Sequence, residues 1–282
     1  MKLNPYLAII LAATIGGANG VFVKLIDLPS TTISFFRMVV PVVFLLLYFS
    51  WKKVKIWRGN YKIMLLASVL NAGRMFLYFL AYLYTSIGNG VIILFTWPIF
   101  ATIFGVLILK EKVTKRNMLL IGLAFAGIVL MYLNKEISLD SKDFLGMAFM
   151  LISAIMFALT AVIFKKQLTE YSKTETIFFQ NLVGAAIFFP FIFFNRPLPS
   201  LGQATVGVIY GLIVGIFAFS LFFYALKKLK MSHYSLFTYW EVPAALIFGV
   251  FFFDEKITWN IIVGGILIII SGWLLRKKKT NI

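Results

Sequence analysis

The sequence predicts an all-α integral membrane protein of ten transmembrane helices, built as two inverted five-helix repeats around a central cavity. Three observations predict it. Apolar residues make up 61% of the 282-residue chain and charged residues only 13%, against roughly half and about a quarter in a soluble domain. The apolar residues gather in runs of about 20, the length that crosses hydrocarbon as a helix. A set of short motifs also occurs twice in the same order.

No soluble fold of this size hides so much apolar surface while keeping so few charges for its exterior. In lipid the same composition is expected, because the solvent is itself apolar. The net charge of +17 is one that nucleic-acid binders carry. Here the cations stand in short strings between apolar runs, so no nucleic-acid partner is expected. The chain has no cysteine and a single histidine, His233, so no disulfide, thiolate site or histidine cluster is expected. No cofactor is expected either.

The first run, 4–24, follows Lys2 and lacks a small-x-small cleavage site, so it reads as a span and not as a secretion signal. It ends at Asp27-Leu-Pro29. The second, 31–50, closes on Trp51-Lys-Lys53, and Arg58-Gly-Asn60 precedes the third, 61–83. The fourth, 88–109, contains Val91-Ile-Ile-Leu94, which alone suits a buried strand, but the full run is helical in length. The fifth, 116–133, stops at Asn134-Lys-Glu136. The sixth and seventh are 143–164 and 175–195, the latter stopping at Asn195-Arg-Pro197. The eighth is 203–226, the ninth 232–253 ends at Asp254-Glu-Lys256, and the tenth is 258–275. The polar–apolar alternation of a membrane barrel is absent.

With the N-terminus in the cytoplasm, 20 of the 27 Lys and Arg fall in cytoplasmic segments and 5 outside. The remaining two, Arg37 and Arg74, lie inside spans. The positive-inside rule therefore predicts a multi-pass plasma (bacterial inner) membrane protein with both termini cytoplasmic.

Lys110-Glu-Lys-Val-Thr114 recurs as Asp254-Glu-Lys-Ile-Thr258, preceded in turn by Pro98 and Pro243 and followed by glycine-bearing last spans. Ser34-Phe-Phe-Arg37 aligns with Ile177-Phe-Phe-Gln180, and Asn19–Lys24 with Thr160–Lys165. The halves are then 1–137 and 138–282. Five spans each is an odd number, so the second half enters the membrane the opposite way round. Inverted repeats are a recurrent design of secondary transporters, in which one half rocks against the other around a central site. A ten-helix scaffold would explain the spans but not the inversion.

These residues resemble the EamA-type transporters of the drug/metabolite transporter superfamily. The likeness rests on a proline in the fourth span, an aliphatic stretch, an acid before Lys-x-Thr and a glycine-bearing last span, all occurring twice, with Phe-Phe-Arg37 in the second span. It implies a central cavity lined by helices one, three, four, six, eight and nine. It also implies transport of metabolites such as amino acids, sugar derivatives or amphipathic cations, by efflux or exchange.

An ionisable side chain within hydrocarbon is costly enough to need a reason. Three lie well within spans: Arg37, Arg74 and Glu241. Arg37 is near enough to the outer face to snorkel toward headgroups or bind carbonyls, and its family position favours a structural role. Arg74 and Glu241 are the deep charges of opposite sign. Two readings stay open for them: a mutual pair that locks the halves, or a site in which Arg74 binds a carboxylate or phosphate and Glu241 an ammonium group or proton.

Helical spacing adds Asn71 and Tyr78 to Arg74, Tyr234 and Thr238 to Glu241, and Ser220 with Tyr224. Asn19 and its repeat mate Thr160 are polar in apolar spans, and Trp97 could stack on a substrate. Each has interhelical packing or hydrogen bonding as its bland alternative. Collectively they suggest an amphoteric, aromatic-lined cavity that favours an amino acid or related zwitterion. Pro98 and Pro243 are candidate gating hinges. The glycine rows Gly207/Gly211/Gly215 and Gly16/Gly20 suit close helix contact, and His233 reads as an interfacial residue.

An enzyme is not expected, since the acids outside Glu241 are scattered in loops. The alternatives are a multidrug or lipophilic-cation exporter, and a non-transporting scaffold or channel subunit. The expected partners are a small-molecule substrate, the lipid bilayer and a coupling ion of unspecified kind, with the chain a monomer or homodimer.

Overall fold

A computed structural model describes residues 3–132, 141–194, 198–254 and 257–277. The expected half boundary at 137/138, the breaks at Asn134-Lys-Glu136 and Asn195-Arg-Pro197, and Glu255-Lys256 of the second motif copy lie outside them, as do Lys2 and the end of the basic tail.

The described residues are helical, without strands, and ten helices are long and apolar enough to cross a membrane. They are α1 (Pro5–Ile26), α2 (Ser30–Lys52), α3 (Tyr61–Tyr82), α4 (Gly88–Leu109) and α5 (Lys115–Tyr132). They continue as α6 (Asp143–Gln167), α7 (Lys173–Phe194), α8 (Leu201–Lys228), α9 (Met231–Phe253) and α10 (Trp259–Arg276). All ten expected spans are present. Several run past the apolar stretch because capping residues, not hydropathy, set where a helix stops. Asn4 accepts from the Tyr6 N–H ahead of Pro5 at the first helical position, a favoured start. Ser172/Glu175 and Ser200/Gln203 form capping boxes at α7 and α8, satisfying helix-end N–H groups that lipid could not.

α4 breaks at Phe95-Thr96 and resumes as Trp97–Leu109; α9 breaks at Tyr239-Trp240 and resumes as Glu241–Phe253. Pro98 and Pro243 sit in the first turn of the resumed helices, where a missing N–H is tolerated. Both resumed helices end on a left-handed residue, Lys110 (φ 55°) and Asp254 (φ 52°), whose N–H groups reach back to Gly105 O and Gly249 O. Pro190 marks a turn in α7, whereas Pro41 lies inside unbroken α2. Two irregularities had no signal in the sequence: α1 is interrupted at Ala18, and α8 is π-helical over Gly211–Ala218.

α5 packs on α10, α2 on α7 and α4 on α9; α3 meets α6 and α7, α1 meets α8 and α9, α4 meets α6, and α2 meets α8. Exchanging spans one to five for six to ten reproduces this set of neighbours, while α5 also meets α9 and α7 meets α8 without exchanged counterparts of comparable extent. Small residues permit the close approaches. A Cβ on Gly207, Gly211 or Gly215 would come within 2.6, 2.6 and 2.4 Å of Phe36, Val40 and Pro41 of α2. The glycine row of α8 is therefore a packing seam. Large apolar side chains such as Leu47, Leu83, Leu107, Phe194 and Phe251 stay exposed around the outside, as a lipid-facing belt requires.

Candidate functional site

Arg74 lies midway along α3 and is 9% exposed. Asn71, one turn earlier, accepts from Arg74 Nε (3.0 Å) and donates to the Gln180 carbonyl of α7 (2.9 Å). The guanidinium lies 4.0 Å from the centre of the Phe157 ring of α6, and Ser153 of α6 donates to the Arg74 carbonyl (2.9 Å). The backbone, Nε and one face of the group are thus held. Its two terminal nitrogens have no hydrogen-bond partner among the described residues.

Glu241 is the first residue of the resumed half of α9, where the helix dipole favours negative charge. Its carboxylate rests over Gly16 of α1, where a Cβ would sit 2.9 Å from Oε1. Gly17 lets the same turn of α9 approach, since a Cβ there would be 2.7 Å from Ala245 N. No ion pair joins Glu241 to Arg74; the two interact over a longer distance. Arg37 completes the group. It is half-buried on α2, its Nη1 donates to Asn181 Oδ1 of α7 (3.2 Å), it lies 4.6 Å from the Phe219 ring centre, and Tyr210 of α8 is within its electrostatic reach. Arg37, Arg74 and Glu241 all lie within electrostatic reach of one another.

Aromatic side chains frame these charges. Trp97 packs on Phe157 (centroids 4.5 Å) and meets Tyr234 edge-on (6.4 Å). Tyr78 meets Tyr82 edge-on, with ring centroids 4.9 Å apart. Tyr78, Tyr210 and Tyr234 each feel the Glu241 charge. Of the expected residues, Asn71, Arg74, Tyr78, Trp97, Tyr234 and Glu241 are therefore brought together. Thr238 and Thr160 use their hydroxyls on their own helices, toward Ser235 O and Met156 O (both 2.7 Å). Asn19 starts the second half of α1, and its buried Oδ1 has no hydrogen-bond partner among the described residues.

Ser220 and Tyr224 stand apart. They line a side cavity of about 360 Å³ with Leu3, Lys173, Phe217 and Leu221, and Tyr224 donates to Leu3 O (2.7 Å). His233 shares a 2.7 Å hydrogen bond with Tyr6 near the chain termini. Arg37, for which snorkelling or carbonyl binding stood open, meets the Asn181 side chain and the Phe219 ring. Sequence reasoning missed Phe157, Asn181 and Tyr210. The alignment of Arg37 with Gln180 was a usable signal for α7; nothing marked Tyr210.

Two ion pairs stand at the end of the bundle that holds the N-terminus. Glu111, after α4, pairs with Lys165 of α6 (2.7 Å) and accepts from Met231 N (2.6 Å), while Lys165 also donates to Leu229 O. Arg58, before α3, pairs with Glu175 of α7 (3.1 Å) and donates to Glu170 O (3.1 Å), and Tyr171 donates to Arg58 O. Both clasps join the first five spans to the last five. Contacts described at the opposite end include Ser86 N to Asp143 (3.2 Å), Gln203 to Asp27 O (3.4 Å) and Lys24 over the Phe253 ring (3.6 Å).

The model of the EamA-like transporter family matches this chain twice, at residues 3–133 and 144–276. An "uncharacterized transporter" of Archaeoglobus fulgidus is 23% identical, covering 99% of both chains. The transporter YoaV of Bacillus subtilis is 26% identical, over 86% of this chain and 85% of its own. Solute carrier family 35 member G1 of Mus musculus is 24% identical, over 93% of this chain and 75% of its own. A crystal structure superposes with a TM-score of 0.83 over 95% of this chain and 96% of that one, at 13% identity, a likeness of fold.

Proposed function

The chain belongs to the EamA-like transporter family and is a multi-pass membrane transporter, not an enzyme; from that premise we propose that it carries an amino acid or related zwitterion, by efflux or exchange through alternating access. The observation that supports this is the central pair of charges: among the described residues, a guanidinium whose two terminal nitrogens have no hydrogen-bond partner and a carboxylate with no ion-pair partner. Guanidinium binds a carboxylate bidentately, and Glu241 receives the ammonium group. Trp97, Tyr78 and Tyr234 supply the apolar wall that a ligand pocket needs.

The two halves, 1–137 and 138–282, act as inverted repeats, supported by the exchangeable packing of the spans and by the matched breaks and caps of α4 and α9. The terminal end faces the cytoplasm of a bacterial inner membrane, in keeping with the cation count. The two clasps then belong to a state closed toward the cytoplasm. A lipophilic-cation exporter fits less well, because both arginines stand within reach of Glu241.

The test is counterflow in proteoliposomes preloaded with unlabelled amino acids and offered the same compounds labelled. Accumulation that falls at least about tenfold in both Arg74→Ala and Glu241→Ala supports the assignment. Exchange of lipophilic cations with no amino acid exchanged overturns it. Non-saturable flux without counterflow would mark a channel.

A further inference from the structure

Arg37 changes the charge of the centre. Two guanidinium groups, on α2 and α3, share it with one carboxylate, on α9. Both cations are held by consecutive residues of α7. Asn181 takes Arg37 Nη1 at 3.2 Å, and the Gln180 carbonyl anchors Asn71, which takes Arg74 Nε at 3.0 Å. Neither arginine has a carboxylate within ion-pair distance among the described residues. Tyr78, Tyr210 and Tyr234, the other titratable groups facing the centre, are neutral phenols in the ordinary pH range. With Glu241 ionised, the two guanidinium groups exceed the carboxylate by one positive charge, and an uncompensated charge deep in a bilayer is unfavourable. A bound ligand of net charge −1 neutralises it; a neutral zwitterion does not.

Resting on the amino-acid assignment above, we propose that Arg37 is a second anion-binding residue of the site, and that the preferred substrate is an amino acid of net charge −1. Such a ligand has two carboxylates for the two guanidinium groups and one ammonium group for Glu241. Arg37 then sets the choice between anionic and neutral amino acids, and Arg74 serves both.

The experiment is counterflow with labelled glutamate and labelled leucine as probes, in wild type, Arg37→Gln and Arg37→Lys, each first shown to be monodisperse in detergent. Wild type is expected to favour glutamate. In Arg37→Gln the glutamate-to-leucine ratio should fall about tenfold or more, the loss of one charge-assisted contact, and Arg37→Lys should restore most of it. A structural role would lower both substrates together. Exchange of leucine without glutamate in wild type, or an equal loss of both in Arg37→Gln, overturns this proposal and leaves the amino-acid assignment intact. Absence of counterflow for every amino acid overturns both. If Arg37→Gln does not fold, the ratio in wild type and Arg37→Lys decides.

Discussion

Arg74 and Glu241 show how far single residues could be interpreted from sequence. A charge within an apolar run is conspicuous in one dimension, so both were legible as functional candidates. Their geometry was not, because it depends on Phe157, Asn181 and Gly16, ordinary residues 83 or more positions from Arg74, 144 from Arg37 and 225 from Glu241. Arg37 was legible as a deep cation, but its partners on α7 and α8 were not. Gly16 offers the cleanest test at this scale. Because the atom a new Cβ would meet is a flexible carboxylate, Gly16→Ala should displace Glu241 with little effect on folding. We expect a raised apparent KM in counterflow and an unchanged thermal midpoint in detergent. Asn71→Leu removes the tie to the Gln180 carbonyl and leaves the buried Arg74 Nε–H without its acceptor, a loss worth about 1–3 kcal/mol. It should therefore lower both the thermal midpoint and transport.

At the scale of elements, span existence was legible because apolar run length needs no knowledge of neighbours. The breaks in α4 and α9 were legible at Pro98 and Pro243. The interruption at Ala18 and the π-helical Gly211–Ala218 were not, since alanine is a strong helix former and the π-turn accompanies the fit of Gly211 and Gly215 against α2. If the two proline breaks are hinges, Pro98→Ala with Pro243→Ala should slow exchange severalfold while substrate affinity is kept; identical rates would remove the hinge role. Gly211→Val has a backbone atom, Phe36 O, at 2.7 Å from the new Cβ and cannot be relieved by a side-chain turn. Overpacking of this kind typically costs about 1–3 kcal/mol, and a lower thermal midpoint should report it.

At the scale of the whole molecule, ten spans bring three distant charges to one centre and are joined at one end by two clasps. Glu111 appeared in sequence only as a scattered loop acid. The fold pairs it with Lys165 across the two sets of spans. Glu111→Gln leaves Lys165, 13% exposed in its side chain, without its counter-charge, and should favour opening at the terminal end. A thiol placed at Ser232 on that side, itself fully buried, should then react faster with a membrane-impermeant maleimide than in the otherwise unchanged protein. The central claim is that one charged centre is reached alternately from both sides of the membrane. The chain has no native cysteine, so a single Tyr78→Cys substitution beside Arg74 reports access directly when an impermeant thiol reagent is applied to either face of oriented vesicles. Alternating access predicts labelling from both faces, slowed by substrate. Labelling from one face alone, whatever the substrate, would contradict it.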